Sequence, residues 1–289
     1  SVIQNQKNLL AFSAGVDSSA LFFLLLEQNI PFDIAIVNYN LRVQSKDEVF
    51  YAKNLASKYK KNIFLKETKI ENISNFEKNA RDIRYKFFDE IILENSYENL
   101  ITAHQLNDKL EWFMMQLSKG AGLVELIGFN EFEHKENYQI YKPLLNITKD
   151  ELIIYLQKNS YKYFIDESNF DEKYKRNFFR HNFSNKFIEE FSPGIKKSFE
   201  YLQNDLNSMN IQNEAMKKID ELEIFLNQND DDLNIRTIDL SLKKRGFLLS
   251  SAQRNEIIKQ KELTISHKIN ISICEKYIWI APLNKSIMD

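Results

Sequence analysis

The chain has 289 residues, 43% of them hydrophobic, with 22 Phe and 13 Tyr against only 6 Gly and 4 Pro. This is material for two ordinary domains with sizeable cores, and it excludes a disordered or loop-rich chain. A net charge of −2 excludes a uniformly basic nucleic-acid binder, and the single Cys274 excludes an intrachain disulfide framework or a cysteine-built zinc site.

Leu9–Phe12 is a short apolar run that stops at Ser-Ala-Gly and is followed by a helical stretch, Ser19–Gln28. Ile34–Val37 reads as a second buried strand. Lys46–Lys60 reads as a helix with Val49, Ala52, Leu55, Ala56 and Tyr59 on one face. A third strand at Asn62–Leu65, a long helix at Phe76–Leu93, a fourth strand at Leu100–Ala103 and a helix at Asp108–Leu117 continue the alternation. Such alternation predicts an α/β fold with a parallel sheet covered on both faces. Beyond Gly120-Ala121-Gly122 it weakens. Tyr141–Leu145 reads as extended, and Thr148–Gln157 as a helix capped by Thr148 with Glu151 three residues on. Arg176–Glu190 is helical up to a break at Ser192-Pro193-Gly194, and a long helix then runs from Ile195 towards Asn227. Asp230–Asp232 reads as a linker or loop, and Ile269–Ile273 and Tyr277–Ala281 as strands. The expected division is a parallel-sheet nucleotide-binding domain over 1–193 and a smaller, mostly helical C-terminal domain over 194–289. No segment is long and apolar enough to span a bilayer, and none has the order of a signal peptide, so no membrane attachment and a cytoplasmic location are expected.

The loop Ser13-Ala14-Gly15-Val16-Asp17-Ser18 closes the first strand and opens a helix. Backbone N–H groups and the helix dipole make such a turn an anion site. It lacks the Gly-Lys-Ser/Thr of a P-loop, which disfavours an enzyme that cleaves at the γ-phosphate. Alone, such a turn is structural more often than functional.

The loop resembles the Ser-Gly-Gly-x-Asp-Ser loop of the ATP pyrophosphatase (PP-loop, adenine nucleotide alpha hydrolase-like) superfamily, with Ala14 at a position where that loop has glycine. Four more segments follow in order: Val37–Arg42, Asn79–Tyr85, Thr102–Asp108 with Glu111, and Asp166–Asn169 with Arg176–His181. With Gly120–Leu123 between them, they resemble the tRNA(Ile)-lysidine synthetase family. Tyr39, Asn40 and Asn107 depart from its pattern.

The resemblance implies that ATP adenylates the cytidine at the first anticodon position of a tRNA(Ile) with a CAU anticodon, and that free L-lysine then displaces AMP. In this reading Ser13, Ala14, Gly15, Val16, Asp17 and Ser18 cradle ATP, and Asp17 and Asp108 hold Mg²⁺. His104 donates to the α-phosphate, and Glu111 takes the lysine. One of Arg81 and Arg84 reaches the phosphates or the adenylate. A carboxylate near the lysine has a chemical reason. Its amine has a pKa near ~10.4, so its nucleophilic form costs about 4–5 kcal/mol at neutral pH.

Arg42, Arg176, Arg180 and His181 are the candidates for substrate or tRNA contact, with Lys173, Lys175 and Lys186 nearby. Phe178, Phe179 and Phe183 read as core residues before they read as base-stacking platforms. A second basic cluster, Lys243–Arg245 with Arg254, Lys259 and Lys261, is either a tRNA grip or a solvated face. A homodimer is left open. The rival readings are a sulfur-transferring tRNA enzyme of the same superfamily, which one cysteine does not equip, and a non-catalytic RNA-binding relative.

Overall fold

The computed structural model describes residues 3–40, 44–69, 76–165, 175–209, 211 and 214–283, and the chain divides into two compact units, Ser1–Glu200 and Tyr201–Asp289. Among the described residues no helix is long and apolar enough to cross a membrane.

The first unit opens with β1 (Asn8–Ala11), α1 (Val16–Glu27), β2 (Asp33–Asn38), α2 (Gln44–Lys58), β3 (Ile63–Glu67), α3 (Phe76–Asn95) and β4 (Asn99–Ile101). It continues with α4 (Leu106–Leu117), a single turn α5 (Leu123–Leu126), β5 (Phe132–His134), β6 (Gln139–Tyr141) and α6 (Lys149–Lys158). The last elements are α7 (Lys175–Phe179), a π-helical turn at Arg180–Ser184, and α8 (Asn185–Ser208). The strands form one sheet in the order β3-β2-β1-β4-β6-β5, parallel except for the edge strand β5. Because the chain reverses its direction of sheet growth at β1, the crevice lies beyond the C-terminal ends of β1, β2 and β4, where open α/β sheets bind ligands. The loop after each of these strands carries a candidate motif.

Apolar burial fixes this frame. Phe22 of α1 is fully buried, with Phe12, Phe23, Phe32 and Tyr59 packed around its ring. Val49, Ala52, Leu55 and Ala56 of α2 face the same core, as the helical spacing predicts. Buried amides tie the strand starts together: Asn8 Nδ2 donates to the carbonyls of Ile3 and Pro31, and Asn99 Nδ2 donates to Asn8 Oδ1. The Thr148 cap is also as expected, with Thr148 and Glu151 exchanging both capping hydrogen bonds.

The break expected at Ser192-Pro193-Gly194 is present one residue earlier: Phe191 has non-helical backbone angles (φ −126°, ψ 16°), so α8 is two helical segments joined at a kink just before Pro193. Proline lacks the N–H that the bend would leave unpaired. Two local expectations are corrected. The helix beyond Ile195 ends at Ser208 and does not approach Asn227, where β7 (Lys217–Ile219) and β8 (Leu222–Leu226) lie instead. Asp230–Asp232 is not a linker: Asp230 caps α9 (Asp231–Lys244) by accepting from the Leu233 N–H.

The second unit has helices α9 and α10 (Ser251–Gln260) together with a separate antiparallel sheet, β7-β8-β11-β10-β9. Here β9 is Glu262–Ile265, β10 Ile269–Ile273 and β11 Tyr277–Pro282, the last two matching the expected strands. Ile238, Ile257, Ile271, Ile278 and Ile280 are wholly buried in its core. In its basic cluster, Arg245 pairs with Glu223 at 3.3 Å, Arg254 with Asp239 at 2.8 Å and Lys261 with Asp231 at 2.5 Å. Those three charges serve local pairing.

Candidate active site

The crevice of the first unit is a cavity of about 660 Å³. Its wall includes Ser13, Gly15, Val16, Asp17 and Ser18 after β1, Asn38 and Tyr39 after β2, and Thr102, His104 and Asp108 after β4. Arg81 and Arg84 of α3, Lys149 of α6, and Arg176 and Arg180 complete it. Six segments far apart in sequence therefore meet at one place.

The β1 loop is held by its own hydroxyls. Ser18 Oγ accepts from the Ser13 N–H at 3.2 Å, lies 3.1 Å from Ser13 Oγ, and donates to the Gly15 carbonyl. Ala14 has φ +60° and is fully buried, and its carbonyl accepts from the Phe164 N–H at 2.9 Å. The left-handed position of the turn therefore falls on an alanine, at a cost of about 1 kcal/mol. Gly15 has φ −74°, and a Cβ there would meet Ser13 Oγ at an ordinary 3.5 Å. The other departures are also accommodated. Asn40 has φ +54° and exchanges two hydrogen bonds with the Asn38 side chain. Tyr39 donates its hydroxyl to the Ala80 carbonyl at 2.7 Å, which ties the β2 loop to α3. Asn107 accepts from the Lys149 N–H and donates to Asn185 Oδ1; an aspartate could not make the second bond.

Asp17 sits on the first turn of α1. Its Oδ1 is buried without a hydrogen-bond partner. Burial, and secondarily the Asp108 carboxylate, push its pKa up to about 7, against the opposing charges of Lys149 and Arg180. At the start of α4, Asp108 Oδ2 accepts from the Gln105 N–H in a capping box. Burial works to raise Asp108, but Arg176, His104 and Arg180 outweigh it and hold the carboxyl below its usual value. Arg176 donates to Asp108 Oδ1 through its NH2 group and to Glu111 Oε2 through Nε at 2.8 Å. Arg180 donates to both Glu111 oxygens, at 2.7 and 3.1 Å.

Two expectations change here. Glu111, assigned to the incoming lysine, is fully buried, is absent from the cavity wall, and has both oxygens taken by Arg176 and Arg180. Arg176 and Arg180, assigned to substrate or tRNA phosphate contact, line the cavity but turn their guanidinium groups inward onto these carboxylates. The cause is geometric. Asp108 and Glu111 share one face of α4, and two arginines spaced i,i+4 meet that face one turn apart.

His104 Nδ1 lies 2.9 Å from Thr102 Oγ1, and its ring meets the edge of Phe129 at 5.2 Å. Burial pushes its pKa down to about 4, with help from Arg176, Lys142 and Arg81, so the imidazole is neutral at pH 7. Both Arg81 and Arg84 are exposed on α3 and line the cavity, where only one was expected to reach it. His181 is half-buried in the π-helical turn and is not in the wall. Arg42, Lys173 and Asp166–Asn169 lie outside the described residues. Phe178 and Phe183 are corrected from core to surface, at 44% and 47% exposure, while Phe179 is half-buried. Sequence reasoning missed Lys149, Asn177, Asn185, Tyr163 and Phe164, all in the wall. Signals were available for Lys149, the first residue after the Thr148 cap, and for Asn177, which lies inside the Arg176–His181 segment.

This constellation, an anion-binding turn at the switch point of a parallel sheet with histidine and carboxylates after β4, defines a PP-loop ATP-binding domain, and the PP-loop domain family matches residues 2–187. The chain is 48% identical over 259 residues to the tRNA(Ile)-lysidine synthase of Campylobacter jejuni (strain RM1221), covering 89% of this chain and 78% of that protein. It is 41% identical over 287 residues to that of Wolinella succinogenes, covering 99% and 87%. The chain belongs to the tRNA(Ile)-lysidine synthase family. Among solved structures, the U34-tRNA thiolase NcsA from Methanococcus maripaludis, with its [4Fe-4S] cluster, shares the fold (TM-score 0.60, 20% identity, covering 75% of this chain and 76% of that one).

Proposed function

We propose that this chain ligates L-lysine to the cytidine at the first anticodon position of tRNA(Ile) bearing a CAU anticodon, with ATP converted to AMP and pyrophosphate. Residues 1–193 would carry the chemistry and 194–289 would contact tRNA. A cytoplasmic location follows from those substrates. Family membership supports the reaction. The observation that supports the residue roles is the single cavity joining the Ser13–Ser18 loop to His104, Asp108, Arg81 and Arg84.

In this reading the loop N–H groups and the Ser13 and Ser18 hydroxyls hold the β- and γ-phosphates at the positive end of α1. With Thr102 Oγ1 as the donor to Nδ1, a neutral His104 keeps its proton on Nε2, and that N–H would stabilise charge building on the α-phosphate. Arg81 and Arg84 supply the cationic wall for the phosphates. The buried, unpartnered Asp17 Oδ1 fits an oxygen ligand to Mg²⁺. Among the described residues no three His, Cys, Asp or Glu side chains cluster as a metal cage, which suits an ion held mainly by substrate phosphates and water. Asp17 would hold that ion, which when bound offsets triphosphate charge, whereas both oxygens of Asp108, the second expected ligand, are engaged by the Gln105 N–H and Arg176. Glu111 seats Arg176 and Arg180.

Labelled lysine transferred to tRNA(Ile) with a CAU anticodon, with matching pyrophosphate release, tests the assignment. Turnover with tRNA but indifferent to lysine would overturn it. The sulfur-transfer alternative lacks its cysteines, since Cys274 stands alone in the sequence, in the second unit.

A further inference from the structure

The helical run that turns Arg176 and Arg180 inward has an outward face. On it Phe178, Phe183, Phe187 and Phe191 are 44%, 47%, 46% and 51% exposed. Two of these intervals are four residues, as one helix face requires, but Phe178 and Phe183 are five apart. In an unbroken α-helix, at 3.6 residues per turn, that interval would put them on different faces. The π-helical turn Arg180–Ser184 takes up the extra residue. Phe178 and Phe183 therefore meet with ring centroids 5.7 Å apart, and Phe187 meets Phe191 at 5.2 Å. One wide turn thus sorts the cations inward and the rings outward.

Size and charge decide what this face fits. Four half-exposed phenylalanines offer roughly 300–400 Å², at ~150–250 Å² for a whole ring side chain. A stable protein interface takes about 800 Å² from each partner, so the face is too small for a dimer contact alone. Lys186, Glu189 and Glu190 are all exposed on the same run, so the face has no basic excess for gripping phosphates. Unpaired nucleobases need neither area nor charge: each stacks on one ring. The face also begins within a turn of Arg176 and Arg180, which line the cavity. A single strand with one base in the cavity would carry its neighbours across it.

We propose that Phe178, Phe183, Phe187 and Phe191 form a stacking platform for the unpaired bases beside the target cytidine of the substrate RNA. The proposal rests on the tRNA-modifying reading above.

The test uses the full chain with Phe183 and Phe187 both changed to Ala, to Leu, or to Trp. Three quantities are read: lysidine formation on tRNA(Ile), affinity for its isolated anticodon stem-loop, and fluorescence of a 2-aminopurine next to the cytidine. The Ala and Leu variants should raise KM and Kd about tenfold and lose the fluorescence quenching, with kcat almost unchanged. The Trp variant should restore both, and the dependence of log Kd on log salt should keep its slope. Wild-type Kd and quenching in the Ala and Leu variants would overturn the platform, and a dimer that dissociates in them with RNA affinity intact would assign the face to a second copy. If the unaltered chain forms no lysidine but the variants still lose stem-loop binding, the ligase reading falls and the platform stands.

Discussion

Glu111 and Arg180 are joined by two hydrogen bonds, of 2.7 and 3.1 Å, with the carboxylate shut off from solvent. Arg176 adds a third, so the arginine helix is pinned to α4 by one buried anion. Glu111→Gln puts an N–H₂ group against two guanidinium groups and leaves their charge uncompensated. Breaking a buried pair from one side costs about 3 kcal/mol or more. Urea unfolding should show a lower midpoint with an unchanged slope. A wild-type midpoint would mean that the pair contributes no net stability.

Asp17 sets a pH dependence of the metal-free protein. Its native pKa of about 7 lies above the ordinary 3.8, so the folded chain keeps a proton that the unfolded chain releases. The stability from this group is full below about pH 4 and is lost as the pH rises through 7. Asp17→Asn should therefore raise the Tm by a few degrees at about pH 8, give no gain near pH 4, and abolish adenylation. Equal Tm gains at both pH values would remove burial of the charge as the cause.

Mg²⁺ should bind the ionised form of Asp17, so its affinity should climb between about pH 6 and 8 and then level off. Titration calorimetry with a non-hydrolysable ATP analogue would show this. In Asp17→Asn the affinity should be low and flat across that range.

His104 should leave no limb in the neutral part of a pH–rate profile. Its native pKa is near 4 and its ordinary value 6.5, so the stability from this group is kept above about pH 6.5 and drained as the pH falls towards 4. His104→Asn should slow pyrophosphate release while any limb near pH 7 stays in place. A limb that disappears with His104 would reassign that titration from Asp17 to the histidine.

The β1 turn separates two roles that its neighbouring small residues would otherwise blur. Ala14→Gly relieves a left-handed alanine but loosens the unfolded chain, and these terms of about 1 kcal/mol nearly cancel. Thermal unfolding should move little, and turnover should persist. Gly15→Ala has room in the free protein, so a loss of ATP affinity there would report how closely phosphate approaches the backbone. A strongly destabilised Gly15→Ala would contradict the ordinary 3.5 Å contact that its Cβ makes with Ser13 Oγ.

Much of this was legible in the chain. The order of strands and helices to α4 followed from apolar runs and helical spacing, because both register directly as side-chain burial. The motif residues Asp17, His104 and Asp108 converge as their order along the chain implies. What the sequence hid was long-range or geometric. Nothing local says that Glu111 faces two arginines 65 and 69 residues on. Nor does composition reveal a π turn, so Phe178 and Phe183 were counted as core. The second sheet was half visible: β10 and β11 alternate cleanly, whereas β7 and β8 follow a helix whose polar surface resembles theirs.

Asp108 uses one oxygen to close the first turn of α4 and the other to meet Arg176. A carboxylate with two such duties resists exchange twice over: a replacement chosen to spare the reaction unties the helix, and one chosen to spare the helix misplaces the arginine. A defect measured at this position will therefore mix folding with chemistry. Mutational tolerance across the chain should be narrowest here, whatever the tRNA presented.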